Sequence, residues 1–255
     1  MKHALKIIIV HAVFFLAGNA LFAMPESTKP IDTVYVPYFE LVGLTAHLND
    51  SGRTVSYIAH YNYTNIDSAG TTTDSLSESV LQFNGGYIAT QDSSIIVQDQ
   101  LYSLAIKTRD SSILVSRPQS VSPFMLQADL FDNALQSVYL DSMAVSDSSN
   151  TRKLRCYFNG SSPYKSYQAV YDTSSFRLTY VLVELRHGIP IPDPTTGYAA
   201  DTYFTRLKVT FTNYSDLHDV RVIPISTADY IQAVPGGFKG VNGYAAYTSI
   251  NQTNY

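Results

Sequence analysis

The sequence predicts a mainly β (α+β) fold: a curved antiparallel sheet or incomplete barrel packed on a central helix, with a short N-terminal helix. Three observations point there. With 20 Tyr, 12 Phe, no Trp and 15% charged residues, the chain has the composition of aromatic strands joined by hydroxyl-rich turns. Long stretches alternate apolar and polar side chains with period two. One segment near the middle, 122–141, switches to a helical period.

That segment organises the rest. Ser122 is an N-cap residue type, and Pro123 suits the first helical position, where a missing N–H costs nothing. Phe124, Ala128, Phe131, Leu135 and Val138 recur at alternating spacings of four and three, which places them on one helix face. A second, shorter helix is predicted from Pro37 to Asn49, ended by Asn49-Asp50-Ser51-Gly52. Val34-Tyr35-Val36 just before it reads as extended.

Strands fill the intervals. Thr54–Thr64, Ser75–Phe83, Tyr87–Gln91, Ile95–Gln98, Leu101–Thr108 and Ile113–Ser116 precede the central helix. Met143–Val145, Lys153–Phe158, Tyr164–Tyr171, Phe176–Arg186, Tyr203–Thr212 and Val220–Ile225 follow it, the last two as a pair. Asn84-Gly85 is a strong two-residue hairpin signal. Asp92, Asp110, Asp147 and Asp172 each stand before hydroxyl residues between strand-like runs; Asp and Ser side chains bond backbone N–H groups within turns, so these read as hairpin turns. The stretch 187–200, with Pro190, Pro192 and Pro194, reads as a loop too proline-rich for a sheet interior. Residues 226–233 suit a helical turn, and Tyr244–Ile250 a last edge strand.

Residues 1–23 have the three-part form of a secretory signal peptide. Lys2 and Lys6 supply the positive region, an apolar run spans Ile7–Ala17, and small residues allow cleavage after Ala20 or Ala23. The run is too short to cross a bilayer, which takes roughly 20 apolar residues. Residues 24–255 are then expected to form a single domain in the bacterial periplasm or outside the cell, with no stable membrane insertion. Losing Lys2 and Lys6 makes the chain more acidic than its formal net charge of −4, which argues against nucleic acid as a partner. Cys156 is the only cysteine, so no intrachain disulfide forms. In an oxidising compartment this suits a periplasmic protein better than a small disulfide-rich secreted domain. Cys156 alternates with Leu154 and Phe158, as a buried apolar residue does. Asn49, Asn62, Asn159, Asn213 and Asn251 begin glycosylation-type triplets that a Ser/Thr-rich chain produces by chance.

Enzymatic motifs are missing. No metalloprotease, nucleophile-elbow or Walker pattern occurs, and Gly236-Gly237-Phe238-Lys239-Gly240 lacks the Gly-Lys-Ser/Thr ending of a phosphate cradle. His47, His60, His187 and His218 are scattered, and His218-Asp219 reads as a solvated turn. No metal site and no cofactor are expected. A glycan hydrolase needs two convergent carboxylates; Glu78 and Glu184 are the mid-strand pair to consider, and isolated polar residues on the outer face of a sheet explain them more simply.

The stronger signal is aromatic. Tyr57, Tyr61 and Tyr63 share one strand face, and Phe124, Phe131 and Leu135 share one helix face. These six are the candidate ligand-binding residues for an acyl chain or an extended peptide, against ordinary core packing as the plainer reading.

A chain with an early helix, a meander of twisted strands (Thr54–Tyr63, Ser75–Phe83 with Asn84-Gly85, Leu101–Pro118), a helix from Ser122 and a second meander resembles the periplasmic outer-membrane lipoprotein-carrier fold. The tail Gly240–Ile250 is similar to the endings of uncharacterised secreted envelope proteins of this layout. That resemblance implies an incomplete antiparallel barrel whose helices act as a lid over an apolar cavity. Arg117-Pro118 departs from the carrier pattern in following several strands. The sequence therefore points to a non-enzymatic periplasmic binding or carrier protein holding a lipid, acyl or extended-peptide ligand between sheet and helix. The alternative is a structural or assembly component of the cell envelope or a secretion apparatus acting through protein–protein contacts. A lipid, a lipoprotein or an envelope protein is the expected partner.

Overall fold

A computed structural model describes residues 35–48, 54–65, 72–83, 86–91, 93–118, 140–192, 199–216 and 225–253. The fold is mainly β: among the described residues there is one helix, α1 (Tyr35–Leu48), and a large curved sheet that is not closed into a barrel. Its strands are β1 (Val55–Thr64), β2 (Thr72–Phe83), β3 (Gly86–Gln91), β4 (Ser94–Gln98), β5 (Ser103–Lys107), β6 (Ser112–Ser116), β7 (Leu140–Ser148), β8 (Thr151–Phe158), β9 (Tyr164–Asp172), β10 (Leu178–Pro192), β11 (Ala199–Asp216) and β14 (Thr248–Asn251). They form a 12-stranded sheet in the order β14-β6-β5-β4-β3-β2-β1-β11-β10-β9-β8-β7. A separate two-stranded ribbon joins β12 (Ile231–Val234) to β13 (Gly237–Gly240).

The chain divides into two compact units. The first takes residues up to Leu48, then Ala59–Leu76 and Ser122–Thr212; the second takes Asn49–Ile58, Ser77–Val121 and Asn213–Tyr255.

In the first unit, β7, β8, β9, β10 and β11 are successive antiparallel neighbours. Register separates their side chains into two chemically opposite faces. Met143, Cys156, Tyr167, Val183 and Leu207 stand opposite one another in turn, as do Leu154, Ala169, Val181 and Val209. All nine are buried. The other face carries Arg155, Gln168, Tyr180, Lys208, Glu184 and Arg206. Arg155 Nε donates to Gln168 Oε1 at 2.9 Å, Gln168 Nε2 donates to the Tyr180 hydroxyl at 2.6 Å, and Lys208 Nζ lies 4.9 Å from the Tyr180 ring centroid. A period-two sequence on a one-sided sheet produces this separation.

Helix α1 contacts β7 and β8, and its Leu41 and Leu44 are fully buried. It begins at Tyr35, upstream of Pro37, so Tyr35-Val36 is helical and not extended. The first turn leaves its N–H groups unbonded anyway, so Pro37 loses no intrahelical bond and the helix runs back past it. Buried Thr45 donates its hydroxyl to the Leu41 carbonyl at 2.9 Å.

Asp172 performs the turn chemistry expected of it: Oδ1 accepts from the backbone N–H and hydroxyl of both Ser174 and Ser175. These bonds, led by that from the Ser174 hydroxyl, hold its carboxyl at a pKa of about 2. Asp147 departs from expectation. It belongs to β7, its carboxylate pairs with Arg152, and Ser149 with φ 55 makes the turn.

Three further differences have physical causes. β7 covers Leu140–Ser148, longer than Met143–Val145, so Leu140 and Asp141 are strand residues, not the end of a helix. The rest of the predicted central helix lies outside the described residues, as do residues 1–23, the Asn84-Gly85 turn and His218-Asp219. Residues 187–192 continue β10, and β11 begins at Ala199, replacing the predicted loop at both ends. Pairing with β9 stops at Leu185, and bulges interrupt the β11 register between Glu184/Ile189 and Pro190/Pro192. Pro190 and Pro192 therefore sit where a strand has one partner and broken register, positions that tolerate a missing N–H. Finally, β11 takes β10 and β1 as neighbours, not the segment Val220–Ile225; Ile225 is outside any strand, and 217–224 lie beyond the described residues.

In the second unit, Val97, Leu104, Ile106, Ile113, Val115 and Ile231 form a core. The 225–253 segment covers it with Tyr230, Phe238, Tyr244 and Tyr247. Asp99 anchors that segment: Oδ2 accepts from Thr227 N and Oγ1, both at 2.7 Å, while Oδ1 accepts from the N–H groups of Leu101 and Tyr102. Residues 226–233 contain one 3-10 turn, 227–229, followed by β12. The last strand, β14, is an edge strand as expected, but it runs parallel to β6, with Thr248 beside Ser112 and Asn251 beside Val115.

Candidate functional site

The candidate site lies in the first unit, on the apolar face of β7–β11 and the edge of helix α1 above it. At that edge three strands and the helix bring charged and aromatic groups together. Glu40 on α1 meets Arg152 on β8, with Nη1 to Oε1 at 2.7 Å, and accepts a hydrogen bond from the Tyr171 hydroxyl on β9. Arg152 Nε also binds Asp147 Oδ1 on β7 at 2.7 Å. Arg152 and Tyr171 are register partners, as are Asp147 and Arg152, so the cluster points to the same face as Leu154 and Cys156. About two turns further along the helix, the His47 ring stacks on Phe176 with centroids 3.7 Å apart, and Phe176 stacks on Tyr171.

The electrostatics make this a latch. Burial raises the Glu40 pKa, but the hydrogen bonds from Tyr171 and Arg152 outweigh it and hold the carboxyl below its ordinary value. Asp147 is lowered chiefly by its hydrogen bond with Arg152. Groups depressed in the folded state stabilise it above their unfolded pKa, and that contribution disappears as pH falls through the folded value. Docking of α1 is therefore expected to be complete at neutral pH and to weaken below about pH 4.3, the ordinary Glu value. Hydrogen exchange of the α1 amides against pH reads this directly. Arg152→Ala should expose α1 already at neutral pH and flatten the acid transition; protection unchanged in that variant would refute the latch.

The predicted residues fall as follows. Tyr61 and Tyr63 on β1 belong to the first unit and are 2% and 4% exposed, and Tyr63 lies edge-on to Phe204 at 5.0 Å. Tyr57 belongs to the second unit, half-buried, with its ring 5.3 Å from that of Tyr214. Phe124, Phe131 and Leu135 lie outside the described residues.

The two carboxylates considered for glycan hydrolysis have different surroundings. Glu184 is on the polar face as read, bound to Arg206 at 2.6 Å and to the Ser166 hydroxyl at 2.8 Å. Burial raises its pKa, and the bonds to Arg206 and Ser166 override that and lower it. It is held as an anion, the opposite of what a proton-donating acid needs. Glu78 is 3% exposed, so it does not stand on an outer, solvated face. Among the described residues no group of three or more His, Cys, Asp or Glu is placed to hold a metal ion. Cys156 is buried, and burial pushes its thiol pKa upward.

No known family model matches the chain, and no curated protein matches it in sequence. Solved structures match its backbone weakly. An uncharacterised conserved protein from Thermus thermophilus is 8% identical, with 84% of this chain and 98% of that one covered and a TM-score of 0.41. A LolA superfamily protein from Nitrosomonas europaea is 10% identical, covering 72% and 94%, with a TM-score of 0.33. An outer membrane lipoprotein-sorting protein domain from Vibrio parahaemolyticus is 10% identical, covering 71% and 93%, with a TM-score of 0.28. These likenesses are weak and concern backbone layout alone. Among the described residues, no helix is long and apolar enough to cross a membrane.

Glu40, Arg152 and Tyr171 were not singled out from the sequence. Arg152 lies 112 residues from Glu40, and Tyr171 lies 131 from it. The one local hint was Asp147 five residues before Arg152 across a two-residue turn, which sets them directly opposite.

Proposed function

We propose that the chain is a non-enzymatic periplasmic carrier that holds the acyl portion of a lipid or lipoprotein on the apolar face of its first unit. One observation carries this reading: a helix is secured by a polar latch at the edge of a sheet face whose middle, from Met143 to Val209, is apolar. A helix fastened at its edge by Glu40, Arg152 and Tyr171 has, among the described residues, only Leu41 and Leu44 as fully buried hydrophobic side chains to withdraw when it lifts. The face it leaves, around Leu154, Cys156 and Tyr167, suits hydrocarbon. Tyr61 and Tyr63, with Phe124, Phe131 and Leu135 of the helix that the sequence predicts, are the proposed lining. An acyl chain buries about 0.8 kcal/mol per CH₂, so a long chain offsets the cost of breaking the latch.

The test is native mass spectrometry and lipid extraction of protein purified from bacterial envelopes, with a fluorescent fatty acid as displacement probe. Expected are a co-purifying amphiphile and faster probe uptake by Arg152→Ala. Protein that carries nothing and takes up no probe in either form would overturn the reading.

A second reading, an assembly component of the envelope, is favoured by one observation. Beyond Leu185, β10 and β11 continue as a pair that β9 no longer accompanies. Deleting 188–199 and repeating a pull-down from envelope extracts separates the two, since a carrier keeps its ligand and an assembly component loses its partners.

A further inference from the structure

Strands β2–β6 of the second unit have two faces, and only one is the apolar core beneath the 225–253 segment. On the other, register sets Gln91 opposite Ser94 and Ser94 opposite Lys107. Continuing the β2–β3 pairing one step past Ser79 and Thr90 puts Glu78 beside Gln91. A second polar row crosses the same face through Gln82, Tyr87, Gln98 and Ser103, again register partners. Between the rows runs a strip of Val80, Ala89, Ile96 and Ala105, about 7 Å from each row by the rise of two strand residues.

These polar side chains are not solvated. Gln91 is 4% exposed, Ser94 6% and Gln98 1%. Among the described residues, Gln91 Oε1 and Ser94 Oγ, neighbours across the β3–β4 hairpin, have no hydrogen-bond partner. A buried acceptor and a buried hydroxyl left unpaired side by side are a cost that packed sheets avoid, and such groups call for an explanation. We propose that this face is a second binding site, which takes a neutral polyhydroxyl group, a sugar or polyol, with Gln91 Oε1 and Ser94 Oγ as its open hydrogen-bonding positions.

The chemistry narrows the ligand class. A carboxamide oxygen only accepts, so the ligand brings an O–H or N–H; the serine hydroxyl takes either role. The Glu78 carboxylate at one end of the row disfavours an anion and Lys107 at the other disfavours a bare cation, leaving a neutral group between them. Tyr87 keeps its proton, because burial and the Glu78 charge both push its pKa upward, and it adds a donor in the second row. Ala89 and Ala105 are the smallest side chains of the strip, so the C–H face of a sugar ring meets the least bulk there. The two unpaired atoms cost free energy where they are buried, and a ligand hydroxyl bonded to them offsets that cost. This site is separate from the acyl-carrier reading and does not depend on it.

Saturation-transfer NMR with methyl β-D-glucopyranoside tests it on purified protein. Transfer to the wild-type chain is expected, weakened about tenfold or more in Gln91→Leu/Ser94→Ala, the worth of one lost hydrogen bond or more. The double variant's Tm should hold or rise, because its unpaired polar atoms are gone. Should that variant fail to fold, Ser94→Ala alone carries the test. No transfer to the wild type, transfer undiminished in the variants, or transfer only with glucose 6-phosphate overturns the proposal.

Discussion

Leu154→Ala is expected to lower the unfolding free energy by about 2–5 kcal/mol, the range for deleting a buried leucine side chain. The upper half of that range applies. Leu154 is 0% exposed and lies between Val145 and Ala169 in register. Ala169 has no side chain long enough to swing into the space, and strands held by hydrogen bonds on both sides cannot close in. The cavity therefore persists, and its cost adds to the lost transfer energy. Urea unfolding followed by tyrosine near-ultraviolet signals measures the change. A loss below about 1 kcal/mol, in the range of a surface substitution, would show that this face is not tightly packed.

Gly240→Ala is the second large effect, and it has a different origin. A Cβ at Gly240 would lie 1.9 Å from the Tyr244 carbonyl oxygen and 2.8 Å from its carbonyl carbon. Both are backbone atoms, so no side-chain rotation relieves the clash. Either β13 parts from β12, where Gly240 pairs with Ile231, or the 3-10 turn at Asn242–Tyr244 moves outward. Both routes pull apart the Tyr230–Tyr244 and Tyr244–Tyr247 contacts. Overpacking of this kind costs about 1–3 kcal/mol or more. The signature is regional: hydrogen exchange should quicken across 225–253 and stay unchanged across β8 and β9. Uniform quickening, or none, would contradict the packing described for this segment.

Strand periodicity was legible wherever one face is buried. Thr54–Thr64, Lys153–Phe158 and Tyr164–Tyr171 could be bounded to within a residue or two because alternation is a local property. The Asp172 turn was legible for the same reason, its hydroxyl partners being two and three residues away. Proline misled at 190 and 192 because its acceptability depends on where a neighbouring strand stops, and β9 is far off in sequence. Glu78 misled because alternation shows which residues share a face, not whether that face meets water. The latch was illegible on similar grounds: a helix residue at 40 finds Arg152 only once three strands have paired. The site residues on the predicted helix, Phe124, Phe131 and Leu135, remain a proposal.

The parallel pairing of β14 with β6 bears on when the protein becomes itself. Strands β2 to β5 have both neighbours close by in the chain, yet β6 waits for a strand that ends at Asn251. Arg117 Nε binds the Thr253 carbonyl across 136 residues of chain. Contacts this distant in sequence form late. Until β14 is in place, the outer edge of β6 offers open backbone groups of the kind that recruit foreign strands. β14 is thus the chain's own safeguard for that edge. A chain shortened before residue 248 should stick to its neighbours more than its loss of stability alone would explain.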